Sequence, residues 1–245
     1  MSEKKLKVLI TGGTRGLGRK MAEYMVSQGH KVYVFGKTNK SEIDRTYLTT
    51  LAEYIECDIS NINEIKACFG TLINHCEWID VLINNATVRQ FKKLDEFQTS
   101  EIQRNINVDF LAPVILSNLC LSIMKRNNFG RIINISSISS YKVYSTGSLY
   151  CSSKRALIAF SESLSKELIN LKGAITINTI CPDSFSKIDG TKLKNHRRIT
   201  DSILVKIDRI IQSESNSMVI NVFTFKHKLR ECLRFIKRAF DMLRL

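Results

Sequence analysis

Val8-Leu-Ile-Thr-Gly-Gly-Thr-Arg-Gly-Leu-Gly18 decides the fold. An apolar run, Lys7–Ile10, reads as a buried strand, and Gly16–Gln28 reads as a helix. A glycine-rich turn joins them. Gly12 permits the tight turn, while Gly16 and Gly18 allow backbone to approach phosphate and helix to approach strand. Free N–H groups at the start of such a helix attract an anion. A glycine loop carries weight in this strand-to-helix context and little outside it.

The same alternation runs onward. Lys31–Phe35, Tyr54–Cys57, Ile79–Ile83, Arg131–Ile135 and Ala174–Ile180 read as strands, with Met218–Phe223 as a candidate seventh. Helical stretches are expected near Ile62–His75, Ser100–Lys125 and Ser148–Leu171. Strands alternating with helices imply a parallel sheet covered on both faces. The expected fold class is therefore α/β: a Rossmann-like, doubly wound parallel sheet in three α/β/α layers, with the ligand crevice at the carboxyl ends of the strands. Residues 1–225 read as one domain. Residues 226–245 carry Leu229, Cys232, Leu233, Ile236, Phe240 and Leu243 at helical spacing with basic residues between them. They are expected to form an extra amphipathic C-terminal helix, packed on protein or lying on an anionic membrane surface.

Composition narrows the classes. Hydrophobic content of 44% and charged content of 24% suit a soluble globular domain. The first apolar run is too short for a secretory leader, and the sequence reads as lacking a membrane span, so a cytoplasmic location is expected. Peripheral contact with the inner membrane surface through 226–245 is an added expectation. The seven cysteines form no C-x-x-C pair and no His cluster, so no metal site is expected. Net charge is +14, and from Lys187 onward 14 Lys and Arg face 6 Asp and Glu. Such a field suits an anionic small-molecule substrate or carrier. No nucleic-acid module is recognisable, so nucleic acid is not an expected partner.

The second informative stretch is Tyr150-Cys-Ser-Ser-Lys154, thirteen residues after Ser137. Tyr150 and Lys154 are four apart, so on a helix they share one face. An ammonium beside a phenol stabilises the phenolate, which makes a tyrosine useful as a proton donor and acceptor. Ser136 is the rival hydroxyl to Ser137, and the spacing favours Ser137.

With its Thr-Gly-x-x-x-Gly-x-Gly spacing and Tyr-x-x-x-Lys segment, the chain resembles the short-chain dehydrogenase/reductase family over about residues 6–183. The resemblance implies a tetrad: Tyr150 as proton donor, Lys154 as its charge partner and ribose ligand, Ser137 as hydrogen-bond donor to the oxyanion, and Asn107 holding a water that links Lys154 to solvent. It also implies cofactor contacts from Gly12, Thr14, Arg15, Gly16, Leu17, Gly18, Lys37, Asp58, Ile59, Asn84, Ala86 and Pro182, together with Tyr150 and Lys154. Homodimers or homotetramers are implied as well. The second strand ends Val34-Phe35-Gly36-Lys37 without an acidic residue, and Arg15 lies in the glycine loop, so NADP(H) is favoured over NAD(H).

Three departures stand out. Thr87 replaces the glycine of the family's Asn-Asn-Ala-Gly. Asp183 and Lys187 replace the glycine and threonine after the sixth strand, where Ser184 or Ser186 is a candidate substitute. The stretch Ile188–Thr200, with His196-Arg197-Arg198, reads as a polar, basic loop, and the resemblance implies that it is the substrate lid. The expected activity is ketone reduction, or its reverse, on an anionic keto-sugar, sugar phosphate or nucleotide-sugar. The alternatives are a 3-oxoacyl-[acyl-carrier-protein] reductase and a non-catalytic NADPH-binding sensor or scaffold.

Overall fold

In the computed structural model, residues 5–43, 52–171, 174–183, 192–215 and 219–222 are described. The strands are β1 (Lys7–Thr11), β2 (Lys31–Gly36), β3 (Glu53–Glu56), β4 (Val81–Asn84), β5 (Gly130–Ile135), β6 (Ile175–Pro182) and β7 (Val219–Val222). The helices are α1 (Gly16–Ser27), α2 (Ile62–Cys76), α3 (Thr99–Ile106), α4 (Ala112–Arg126), α5 (Ser148–Glu167) and α6 (Lys192–Gln212). All pairings are parallel, in the order β3-β2-β1-β4-β5-β6-β7. The chain reverses direction across the sheet between β1 and β4, and a ligand crevice belongs at that switch point.

Side chains alternate faces along a strand, so a strand covered on both sides is apolar at every position. That is how this sheet is built. Val8 and Ile10 enter one core and Leu9 the other. Val32 and Val34 part in the same way from Tyr33 and Phe35, and Val81 and Ile83 from Leu82. The first core is closed by α1 and α6, through Met21, Met25, Ile203 and Ile207. The second is closed by α2, α4 and α5, through Phe69, Leu116 and Leu164.

Local chemistry sets the element ends. Asn61 caps α2, its side chain accepting from the N–H of Asn63 at 3.0 Å and of Glu64 at 3.4 Å. Gly29, at φ 82°, ends α1: its N–H bonds to Val26 O and that of His30 to Met25 O, the paired bonds of a left-handed helix stop.

Three expectations change. The helix foreseen from Ser100 to Lys125 is interrupted by a π-helical turn at Asn107–Leu111 between α3 and α4. The whole stretch Thr99–Arg126 is long and apolar enough to cross a membrane by length and composition, contrary to the sequence reading. Its Leu116, Cys120, Ile123 and Met124 instead fill the second core. The basic stretch expected as a loop to Thr200 is helical from Lys192, because Ile199, Ile203, Ile207 and Ile210 form an apolar face buried in the first core. The segment 226–245, and with it the expected amphipathic helix, lies outside the described residues, as do Ser184, Ser186 and Lys187.

Candidate active site

β1 delivers its chain into the glycine loop at the switch point. Gly12, at φ 67°, turns the backbone so that its N–H bonds to Phe35 O at 2.7 Å. A β-carbon on Gly18 would lie 2.1 Å from Gly12 O and 2.5 Å from Asn85 Nδ2. The loop is therefore a cradle only glycine can close. Opposite it, the end of β4 is sewn to β1. Asn85 donates through Nδ2 to Thr11 O (3.0 Å) and Gly12 O (3.2 Å), and the N–H groups of Asn85 and Ala86 donate to Thr11 Oγ1.

A cavity of about 1150 Å³ opens over the carboxyl ends of the strands. Of the expected residues, Gly12, Thr14, Arg15, Leu17, Gly18, Lys37, Asp58, Ile59, Ala86, Ser137, Tyr150, Lys154 and Pro182 line it. Gly16, Asn84 and Asn107 are not among its lining residues. Asn84 is 2% exposed and donates to Asn134 Oδ1 at 2.8 Å, inside the sheet; its neighbour Asn85 lines the cavity instead. Glu42 also lines the cavity, a carboxylate the sequence reading passed over, as do Arg89 and Arg104. Burial pushes the Asp58 carboxyl up, but hydrogen bonding from Ser60, the Arg104 guanidinium (3.6 Å) and Lys37 outweigh it and hold the group below its ordinary range.

The first turn of α5 carries Tyr150, 6% exposed, and one turn on Lys154, 2% exposed. Lys154 Nζ stands 5.8 Å from the Tyr150 ring centre and donates to Ile135 O at 3.2 Å. Ser137, leaving β5, is extended at φ −160° and its Oγ accepts from Ser139 N–H at 3.1 Å. The rival, Ser136, donates its hydroxyl to Lys154 O at 2.9 Å and so anchors the helix. This separates the two serines: one is tied to backbone, and the other keeps its hydroxyl hydrogen for a ligand. Asn107 donates to Ser60 O at 2.8 Å. The side chain that meets Lys154 from this helix break is Asp109, at 3.4 Å, which the sequence reading missed.

Phe91 lies 5.3 Å from the Tyr150 ring and 6.2 Å from Tyr144, with the guanidinium of Arg89, which lines the cavity, 5.6 Å above it. The thiol of Cys57, which lines the cavity, lies with the Cys68 thiol and the Glu64 carboxylate within 4.8 Å of one another, a grouping the absence of a C-x-x-C pair did not foretell. Burial pushes the Cys57 thiol far up, and Glu64 accepts from Asp58 N–H at 2.6 Å.

The cradle fits a dinucleotide: backbone closes tightly behind it, an open helix start faces it, and a long cavity leads from Lys37 to Tyr150. Comparison with known proteins agrees. The short chain dehydrogenase family model matches residues 6–198. Carbonyl reductase family member 4 of Xenopus laevis is 29% identical over 184 residues, covering 74% of this chain and 76% of that protein. The 3-oxoacyl-[acyl-carrier-protein] reductase FabG of Vibrio harveyi is 28% identical over 189 residues, 76% of each. A solved putative 3-oxoacyl-reductase from Bacillus thuringiensis superposes with a TM-score of 0.77 at 25% identity, over 89% of this chain and 97% of that one.

Proposed function

The chain belongs to the short-chain dehydrogenase family, and from that premise we propose that it reduces a ketone bearing an anionic group to a secondary alcohol with NADP(H). Oxidoreduction between CH–OH and C=O with a nicotinamide cofactor is the family's chemistry and this chain's. The observation that carries the finer reading is one cavity holding the glycine cradle at one end and Ser137, Tyr150 and Lys154 at the other.

When bound, the cofactor supplies the hydride. The chain's own groups do the rest. Tyr150 gives a proton to the carbonyl oxygen as negative charge grows there, and takes it back in the reverse direction. The Ser137 hydroxyl hydrogen-bonds that oxygen. Lys154 places a positive charge next to the tyrosine ring. Phe91 packs on the Tyr150 ring with Tyr144 behind it, and Arg89, which lines the cavity, suits a phosphate or carboxylate. Keto-sugar phosphates and nucleotide-sugars fit this description. A 3-oxoacyl group on a carrier is the second reading, supported by the likeness to 3-oxoacyl reductases. Purified protein should oxidise NADPH with phosphorylated or carboxylated ketones at KM values roughly tenfold or more below those of their neutral analogues, as a charged hydrogen bond predicts. Equal KM values for both sets overturn the anionic-substrate reading.

For the cofactor, Arg15 and Lys37 both line the cavity beside the end of β2. They are the cations that would meet a 2′-phosphate. Lys37→Ala is expected to weaken NADPH binding by about tenfold and NADH binding by less than about twofold, read by fluorescence titration. An equal loss for both cofactors assigns Lys37 no role in choosing between them.

A further inference from the structure

The π-helical turn at Asn107–Leu111 puts a carboxylate where the sequence reading placed none. Asp109 is 0% exposed. Three donors converge on its Oδ1: the Thr87 hydroxyl, the Val88 N–H at 3.3 Å and the Lys154 ammonium at 3.4 Å. Its second oxygen, Oδ2, is buried with no hydrogen-bond partner among the described residues. An extra residue in one helical turn re-aims the side chains that follow, and such turns concentrate at functional sites. Thr87 is the departure from the family's glycine noted above, and its hydroxyl now has a purpose that glycine lacks.

We propose that Asp109 is a positioning residue of the proton-transfer machinery: its buried carboxylate is the counter-charge that holds the Lys154 ammonium beside Tyr150. The proposal rests on the reductase reading above. A lysine 2% exposed cannot keep its proton cheaply without a partner. Lys154 has Ile135 O as a neutral acceptor and Asp109 as its acidic one. Burial holds the Asp109 carboxyl above its ordinary range, and Lys154, Thr87 and Val88 pull against that shift without cancelling it, so its ionised form rests on these three donors. Among the described residues, the other titratable groups facing this pair are Tyr150 on α5 and Cys181 on β6. Burial pushes the Cys181 thiol up to about 11, so it stays neutral at working pH. Asn107, tied to Ser60, contributes no charge.

The sign of the consequence follows from electrostatics. Removing a negative charge lowers the proton affinity of every neighbouring group. Ketone reduction needs a proton on the donor and on Lys154, so its activity would be lost at a lower pH. In Asp109→Asn, the basic limb of the kcat profile is expected to move down by about one pH unit or more, with kcat at neutral pH reduced about tenfold or more. KM for the ketone should change by less than about threefold, because Asp109 is walled off from substrate by Lys154. A loss of kcat with an unmoved limb overturns the proposal, since a merely structural role predicts that result. The second measurement uses the unsubstituted protein: the 13C resonance of the Asp109 carboxyl should report a carboxylate at neutral pH. A protonated Asp109 there overturns the ion pair whether or not any ketone is reduced. A charged Asp109 in a protein that turns over no ketone faults the reductase reading alone.

Discussion

Tyr150→Phe is expected to lower kcat for ketone reduction by about 10²- to 10⁴-fold while leaving the protein folded and able to bind cofactor. The size follows from what is removed. The substitution deletes one hydroxyl, the group that gives its proton to the carbonyl oxygen, and leaves the ring. The ring is what packs: it lies 5.3 Å from Phe91 and is 6% exposed. Removing a hydroxyl that lines a cavity leaves the ring packing in place, so Tm should stay within a few degrees, on the order of a 1 kcal/mol change. The check is steady-state kinetics beside an NADPH fluorescence titration and a melting curve on the same preparation. Wild-type turnover in the variant would remove Tyr150 from the proton path. The hydroxyls of Ser139, which lines the same cavity, and Ser137 would then become the donors to examine.

The strands were legible because burial on both faces leaves an apolar signature at every position, as in Val8-Leu9-Ile10. The glycine loop and the Tyr150–Lys154 pair were legible for another reason: each needs particular residue types at fixed spacing. What escaped reading depended on side-chain direction. At the end of β4, Asn84 and Asn85 are adjacent and identical in type. Alternation sends one into the sheet towards Asn134 and leaves the other to bridge β1 and the glycine loop. Composition cannot say which.

Asp109 escaped because a π-helical turn breaks the 3.6-residue period on which helix faces are counted. One signal was present: a carboxylate inside the apolar run from Val108 to Leu116 is costly to bury and so needs a partner. In α6 the basic residues of the first turns mask Ile199, Ile203, Ile207 and Ile210, whose spacing already describes a buried helical face. The cysteines were read by local spacing, whereas Cys57 and Cys68 meet across a strand-to-helix connection.

Gly18→Ala is the second large effect, and it separates the cradle from the chemistry. An added methyl would stand 2.1 Å from Gly12 O, a backbone atom, and 2.5 Å from Asn85 Nδ2. Neither contact can be relieved by swinging the end of a long side chain. Gly12 O moves only if the turn at φ 67° opens, and Asn85 moves only by releasing its bonds to Thr11 O and Gly12 O. Either response widens the loop at the place where helix α1 must approach the phosphates. Overpacking of this kind costs about 1–3 kcal/mol of stability. The same displacement is expected to raise the NADPH dissociation constant by roughly ten- to a hundredfold, which corresponds to about 1.4–2.8 kcal/mol of binding free energy. Urea denaturation and NADPH titration check the two effects separately. At saturating cofactor, kcat should recover to within a few fold of the parent, because Ser137 follows β5 and Tyr150 and Lys154 lie on α5, at the far end of the cavity. A variant that binds NADPH normally would mean that the cradle does not hold the phosphates. One that binds poorly yet also fails at saturation would couple the glycine loop to the proton path.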